Sequence, residues 1–162
     1  MGRKITAEEM AERVGRYKKN PNLLIKSGYM VGFPYEPLES IPKTVDYHRN
    51  LGIYNTDIFK YTDHPSLPSH KFQQFTQQEI DMRLEYAAIL NDRLEEDGKN
   101  MLIGKTIPVI RDSKMGVSMT MDFFSAHIPN QVEFVDKVPN DGIVKAKVLR
   151  RSGERFICQT VL

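Results

Sequence analysis

The segment that most restricts the fold runs from Thr76 to Gly98. Thr76 followed three residues later by Glu79 is a capping-box pair, in which each side chain satisfies a backbone N–H left free at a helix start. Behind it Ile80, Leu84, Ala87, Ala88 and Leu94 fall on one stripe, widened by Ile89 and Leu90. Gly98 stands where a helix end favours a left-handed residue. The pattern predicts a helix over 76–97, with Glu79 and Arg83 paired on its outer side and Asn91 as a polar intrusion in the stripe. Such a stripe has to be buried against another element, and the C-terminal half of the chain offers a sheet.

Val117 to Phe123 alternates apolar and polar residues without error, the pattern of a half-buried strand. Gln131 to Val138 reads as a second strand and Ile143 to Leu149 as a third, with Val144, Ala146 and Val148 on one face and Lys145 and Lys147 on the other. Arg151 to Glu154 is a turn, and Phe156 to Leu162 is the return strand of a hairpin. Met101 to Ile110 adds another strand, which Pro108 assigns at its end to an edge or a bulge. The expected fold class is α+β, one long helix followed by an antiparallel sheet of about five strands. Residues 76–162 form one structural unit in this reading.

Residues 1–75 are of another kind. Thr6 and Glu9 repeat the capping box, Met10 and Val14 supply an apolar stripe with Tyr17 beside it, and Asn20-Pro21-Asn22 stops that helix. From 28 to 75 the chain holds five of its nine prolines, five of its seven tyrosines and three of its four histidines. That is too aromatic for a flexible linker and too long for a connector, so it reads as an ordered wrap over the core or over a partner subunit. Leu51 to Tyr61 is its one regular piece, a short strand or a helical turn.

Composition excludes several classes. A chain of 162 residues is one domain of ordinary size, long enough to form a core without a disulfide or metal staple. Its net charge of +2, from 23 basic and 21 acidic residues, carries no strong footprint for nucleic acid or acidic lipid. Cys158 is the single cysteine, which rules out an intrachain disulfide framework and an all-cysteine metal site. With no apolar run of membrane length and no secretion-signal core near the start, the expectation is a cytoplasmic protein with no membrane and no nucleic-acid partner.

The chemistry-bearing candidates are His48, His64, His70 and His127, because imidazole titrates near neutral pH. Asp46 stands two residues before His48, which on a strand puts both on one face. Asp63 and His70 are an acid/base candidate pair, set against the ordinary role of such residues in fixing Pro-rich turns. A metal-assisted enzyme using the histidine cluster is a rival, although no metal-ligand spacing occurs. Gly28 and Gly32 lack a nucleotide fingerprint, Lys18, Lys19 and Lys26 read as solvated cations, and Cys158 reads as a small core residue, so no cofactor is expected.

The order of one helix and about five strands resembles the hotdog fold of acyl-CoA thioesterases and hydratases. Val117 to Phe124, then Pro129-Asn130-Gln131-Val132-Glu133-Phe134, looks like its strand pair across a proline-containing crossover, and Ile143 to Gly153 like the next strand and turn. Asp63-His64-Pro65-Ser66-Leu67-Pro68-Ser69-His70 is similar to the Asp/Asn-Pro/His pattern of MaoC-like hydratases, at longer spacing and without the asparagine. The resemblance implies a dimer that hydrates or hydrolyses an acyl or aryl thioester, with Asp63 and His70 handling the water and the 76–97 helix aiming its N-terminal N–H groups at the thioester carbonyl; His48 joins them as a catalytic candidate on its own chemistry. The rival reading is a non-catalytic subunit of a larger complex, folded against its partner through the wrap.

Overall fold

Thr6 caps the first helix as its sequence dictates: its hydroxyl accepts from the Glu9 N–H at 3.2 Å while the Glu9 carboxylate accepts from the Thr6 N–H at 3.0 Å. The structure is a computed structural model and describes residues 5–19, 25–112, 117–120, 132–138 and 141–161. In chain order the elements are α1 (Ala7–Tyr17), β1 (Lys26–Val31), α2 (Ser40–Leu51), β2 (Asn55–Lys60), a single 3-10 turn (Pro68–Lys71), α3 (Gln77–Asn100), β3 (Thr106–Asp112), β4 (Val117–Thr120), β5 (Val132–Phe134), β6 (Gly142–Ser152) and β7 (Arg155–Thr160). The chain is α+β, with three α-helices and two sheets among the described residues, and it divides into two compact units, Met1–Leu94 and Glu95–Leu162.

In the first unit the proline- and tyrosine-rich stretch holds a β-α-β unit, β1-α2-β2, followed by the loop with the 3-10 turn. β1 and β2 pair in parallel, Lys26 opposite Asn55 through Val31 opposite Lys60. Parallel neighbours need a crossover, and α2 supplies it. Pro42 does not prevent that helix, because it lies in the first turn, where a backbone N–H has no helical partner to lose. Ile41, Val45 and His48, spaced four and three apart, form its buried stripe. Gly52, at φ 62°, stops it by donating its N–H to the Arg49 and His48 carbonyls. Val31, Ile41 and Ala87 are the centre of this unit's core, with Tyr29, Ile58, Leu84 and Leu90 packed on them.

Leu84, Ala87 and Leu90 of the α3 stripe pack in the core of the β-α-β unit, whereas Ile89 is exposed. Thr76 and Glu79 cap α3 as expected, with the Thr76 N–H to Glu79 carboxylate bond at 2.7 Å. The helix passes through Gly98 and ends at Asn100, so Gly98 is not its terminus. Asn91, the polar intrusion, bonds the Thr56 hydroxyl and, at 3.3 Å, the Thr56 carbonyl. Arg83 lies 3.7 Å from Glu36 and stacks its guanidinium 4.2 Å from the Phe75 ring centre.

The second unit is a five-stranded sheet in the order β4-β3-β6-β7-β5. It is mixed rather than antiparallel throughout, since β5 pairs with β7 in parallel, Val132 opposite Phe156 to Phe134 opposite Cys158. The β6–β7 hairpin and the alternation of β6 match the sequence pattern, with Ala146 and Val148 fully buried and Lys145 and Lys147 exposed. Pro108 sits in β3 one residue beyond its ladder with β4, at a place where a missing N–H costs no strand pairing. Ile107, Val109, Val132, Ala146, Val148, Phe156 and Cys158 form the core. The sheet thus has a core of its own, whereas the hotdog expectation needed one built on the long helix. The expected strand residues 121–123 and the crossover at 129–131 lie outside the described residues.

Candidate functional site

His48 is placed by α2, not by a strand, and that separates it from Asp46. At 3.6 residues per turn, positions two apart point to different sides. His48 is buried, whereas Asp46 is exposed and bonded to Arg49. The His48 Nε2 lies 3.1 Å from the Ser27 hydroxyl, and among the described residues its Nδ1 has no hydrogen-bond partner. Burial holds the imidazole below its ordinary value of 6.5, favouring the neutral ring. The unfolded chain then binds a proton that the folded one refuses, so stability is complete above about pH 6.5 and falls as pH drops below it. A His48→Gln variant is expected to show a flatter melting-temperature profile between about pH 5 and 7. Parallel profiles for the two proteins would refute this account of His48.

Asp63 and His70 do come together, on the loop after β2. His70 Nδ1 is 2.6 Å from one Asp63 carboxylate oxygen, and the Tyr61 hydroxyl is 3.2 Å from the other. Tyr61 also meets the buried Ser69 hydroxyl at 2.9 Å. The His70 hydrogen bond comes first among the causes that hold the Asp63 carboxyl below its usual range. The arrangement ties the 3-10 turn to the end of β2. His64 bonds Ser66 at 2.7 Å within the same loop. An open groove of about 390 Å³ lies elsewhere on this unit, lined by Gly28, Tyr29, Met30, Phe33, Glu36, Ser40 and Thr44. Burial, and then the Glu36 charge, push the Tyr29 hydroxyl up to about 12, so it keeps its proton near neutrality.

His48, His64 and His70 are thus each engaged locally, and among the described residues no three His, Cys, Asp or Glu side chains converge to hold a metal ion. His127 lies outside the described residues. Cys158 is fully buried, and burial pushes its thiol up to about 11, which keeps it from acting as a nucleophile.

The second unit offers a different surface. Lys145 and Lys147 stand on the exposed face of β6, in the middle of the sheet, about 6.7 Å apart along the strand. Their register partners are Pro108 and Thr106 on β3, and Gln159 on β7 for Lys147, none of them charged. Five acidic side chains of this unit are engaged with other partners: Glu95, Glu96 and Glu154 gather on Lys99, Glu96 also meets Arg151, Glu133 lies 3.9 Å from Arg155, and Asp136 accepts from Thr160. Among the described residues neither lysine makes an ion pair. A sheet face with two free ammonium groups and no carboxylate opposite them fits a polyanion.

No family model matches the chain. It is similar to tRNA and ribosomal-protein methylthiotransferases. It is 30% identical over 118 residues to the tRNA-2-methylthio-N(6)-dimethylallyladenosine synthase of Wolbachia pipientis wMel, covering 72% of this chain and 27% of that protein. It is 25% identical over 154 residues to the ribosomal protein uS12 methylthiotransferase RimO of Carboxydothermus hydrogenoformans, 93% of this chain and 33% of that one. It is 24% identical over 155 residues to the threonylcarbamoyladenosine tRNA methylthiotransferase MtaB of Bacillus subtilis, with 93% and 34% covered. The chain spans about a quarter to a third of the length of these relatives.

These likenesses overturn the hotdog resemblance and with it the hydratase or thioesterase reading, the acyl or aryl thioester as partner, and the alternatives of a non-catalytic subunit and a metal-assisted enzyme. The relatives' names place tRNA or a ribosomal protein where the resemblance implied a thioester, so the exclusion of nucleic acid is also corrected. That exclusion rested on net charge, which averages over the whole chain. The signal that carries the opposite reading is Lys145 and Lys147 alternating with core residues, with no acid among them.

Proposed function

We propose that this chain is the substrate-docking part of a cytoplasmic methylthiotransferase system, and that its Glu95–Leu162 unit binds RNA through the exposed face of β6. The observation that carries this reading is the pair Lys145 and Lys147, exposed, unpaired among the described residues and framed by uncharged neighbours. Likeness to enzymes named for tRNA supports RNA as the polyanion. Lysines of this kind contact phosphates, and each phosphate they neutralise releases counterions, which gives binding a steep salt dependence. The docking role does not require Cys158 to supply sulfur, which its burial would prevent.

Fluorescence anisotropy with bulk tRNA, repeated over a series of salt concentrations, tests the reading. Replacing Lys145 and Lys147 together with glutamine is expected to weaken binding about tenfold or more at moderate salt. It should also reduce the slope of log affinity against log salt by about 2, one for each lost phosphate contact. The melting temperature should hold, since both side chains are exposed. An unchanged slope would rule out β6 as the RNA-binding face.

A further inference from the structure

In open parallel sheets, ligands sit beyond the carboxyl ends of the strands. Here those ends lead into the loop from Gly32 to Glu39 and the loop from Tyr61 to Thr76. Tyr35, in the first of them, is the only non-glycine residue at positive φ among the described residues, at 63°. That conformation crowds the Cβ against the backbone and is rarely accepted by a bulky residue. Burial does not compensate for it, since Tyr35 is 69% exposed. Its turn is nevertheless held firmly: the Glu36 N–H reaches the Phe33 carbonyl at 2.9 Å, and the Glu36 carboxylate accepts from the Gly32 N–H at 2.8 Å. A fixed turn presents an aromatic ring to solvent in a conformation that glycine would adopt freely.

The Tyr35 ring has company from the second loop. Phe72, itself exposed, lies with its ring centre 5.7 Å away and tilted by 55°. The Lys71 ammonium is 5.9 Å from the Phe72 centroid. Exposed aromatic rings beside a cation are what an unpaired nucleobase and its phosphate require, because every base has a π-face and every linkage a charge.

We propose that Tyr35 and Phe72 form a stacking site for an unpaired RNA base, with Lys71 meeting the adjoining phosphate. This rests on the RNA reading of β6 but places a second, charge-poor contact in the other unit. The experiment measures binding of fluorescein-labelled oligo(A), and of bulk tRNA, to the full chain. Tyr35→Gly is expected to raise the melting temperature, by releasing the backbone, while weakening oligo(A) binding roughly tenfold. Its salt slope should stay unchanged, because no charge is lost. Phe72→Leu should weaken oligo(A) similarly, and Lys71→Gln should lower the slope by about 1.

A purely structural tyrosine would give a different pattern. Tyr35→Gly and Phe72→Leu variants that melt at or above the wild-type temperature and bind oligo(A) undiminished would overturn the site. If tRNA binding and its dependence on Lys145 and Lys147 persist in that case, the stacking proposal alone has failed. Absence of any RNA binding by the unaltered chain would overturn both readings. Loss of binding to ribosomal protein uS12 in Tyr35→Gly, with oligo(A) binding intact, would assign the rings to protein recognition and reject the nucleobase.

Discussion

Phe156→Ala is expected to destabilise the protein by about 3–5 kcal/mol, the range for truncating a fully buried phenylalanine. Phe156 has no exposed surface and is the largest of the fully buried side chains among the described residues. It lies in β7 among Ile107, Val109, Ala146, Val148 and Cys158, with Val132 of β5 as its register partner. Losing the ring removes its transfer free energy and leaves a cavity that a sheet closed by pairing on both sides of β7 can only partly collapse. Against a domain stability of about 5–15 kcal/mol, that change leaves a substantial unfolded population. Urea unfolding should show a lower midpoint at an unchanged slope, and hydrogen exchange should speed up at the β6 and β7 amides. A loss below about 1 kcal/mol would mean that the ring does not fill the core of this sheet. The same variant should lose RNA binding only as it loses fold, unlike the Lys145 and Lys147 replacements.

Lys99→Met is expected to cost about 1–3 kcal/mol, for an electrostatic reason. The Lys99 ammonium sits 2.7 Å from Glu154 and 3.2 Å from each of Glu95 and Glu96, with its side chain 6% exposed. Arg151 reinforces the cluster by gripping both Glu96 oxygens, at 2.7 and 3.2 Å. Burial alone would pull the Lys99 ammonium down, but hydrogen bonds to Glu154, Glu95 and Glu96 outweigh it and raise it above its ordinary value. Removing the cation leaves carboxylates facing one another across the end of α3 and the β6–β7 turn. The expected cost stays moderate because Glu96 and Glu154 are 45% and 72% exposed and water screens them.

The pH dependence follows from these directions. A raised lysine stabilises the fold below the unfolded value of 10.5 and loses that effect as pH rises through its folded value. Glu96, held low first by its bond from Arg151, stabilises above the unfolded value of 4.5 and loses the effect as pH falls through its folded value. The deficit of Lys99→Met should therefore be largest near neutrality and narrow below about pH 4, where the stranded carboxylates take up protons. Melting curves across that range decide it, and a deficit independent of pH would point to packing in place of charge.

Local signals in the chain are legible where one residue type does one job. Thr6 with Glu9 and Thr76 with Glu79 cap their helices as written, and the alternation of β6 buries Ala146 and Val148. What escapes a reading of the sequence is α2, whose stripe is short and whose early proline looks like a loop residue until its place in the first turn is known. Without that helix the β-α-β unit stays hidden, and the missing parallel pair leaves the α3 stripe without its true partner. The same omission puts Asp46 and His48 on one face, since period two is applied where period 3.6 operates. Asp63 and His70 are legible as neighbours, because seven residues with two prolines close into a turn, but a contact of that sort does not reveal the ligand. Lys145 and Lys147 are legible as one face of a strand, yet their meaning depends on what lies opposite on β3 and β7, which only the register supplies.

Cys158 gives the second unit a built-in clock. A thiol with no exposed surface, pushed up to about 11 by its surroundings, reacts with a soluble disulfide reagent only when the β6–β7 ladder opens. Because the chain has no other cysteine, each labelled molecule records one such opening, and nothing in the first unit contributes signal. Labelling rates measured with and without tRNA would thus report, without any engineered probe, whether RNA steadies the sheet that carries Lys145 and Lys147.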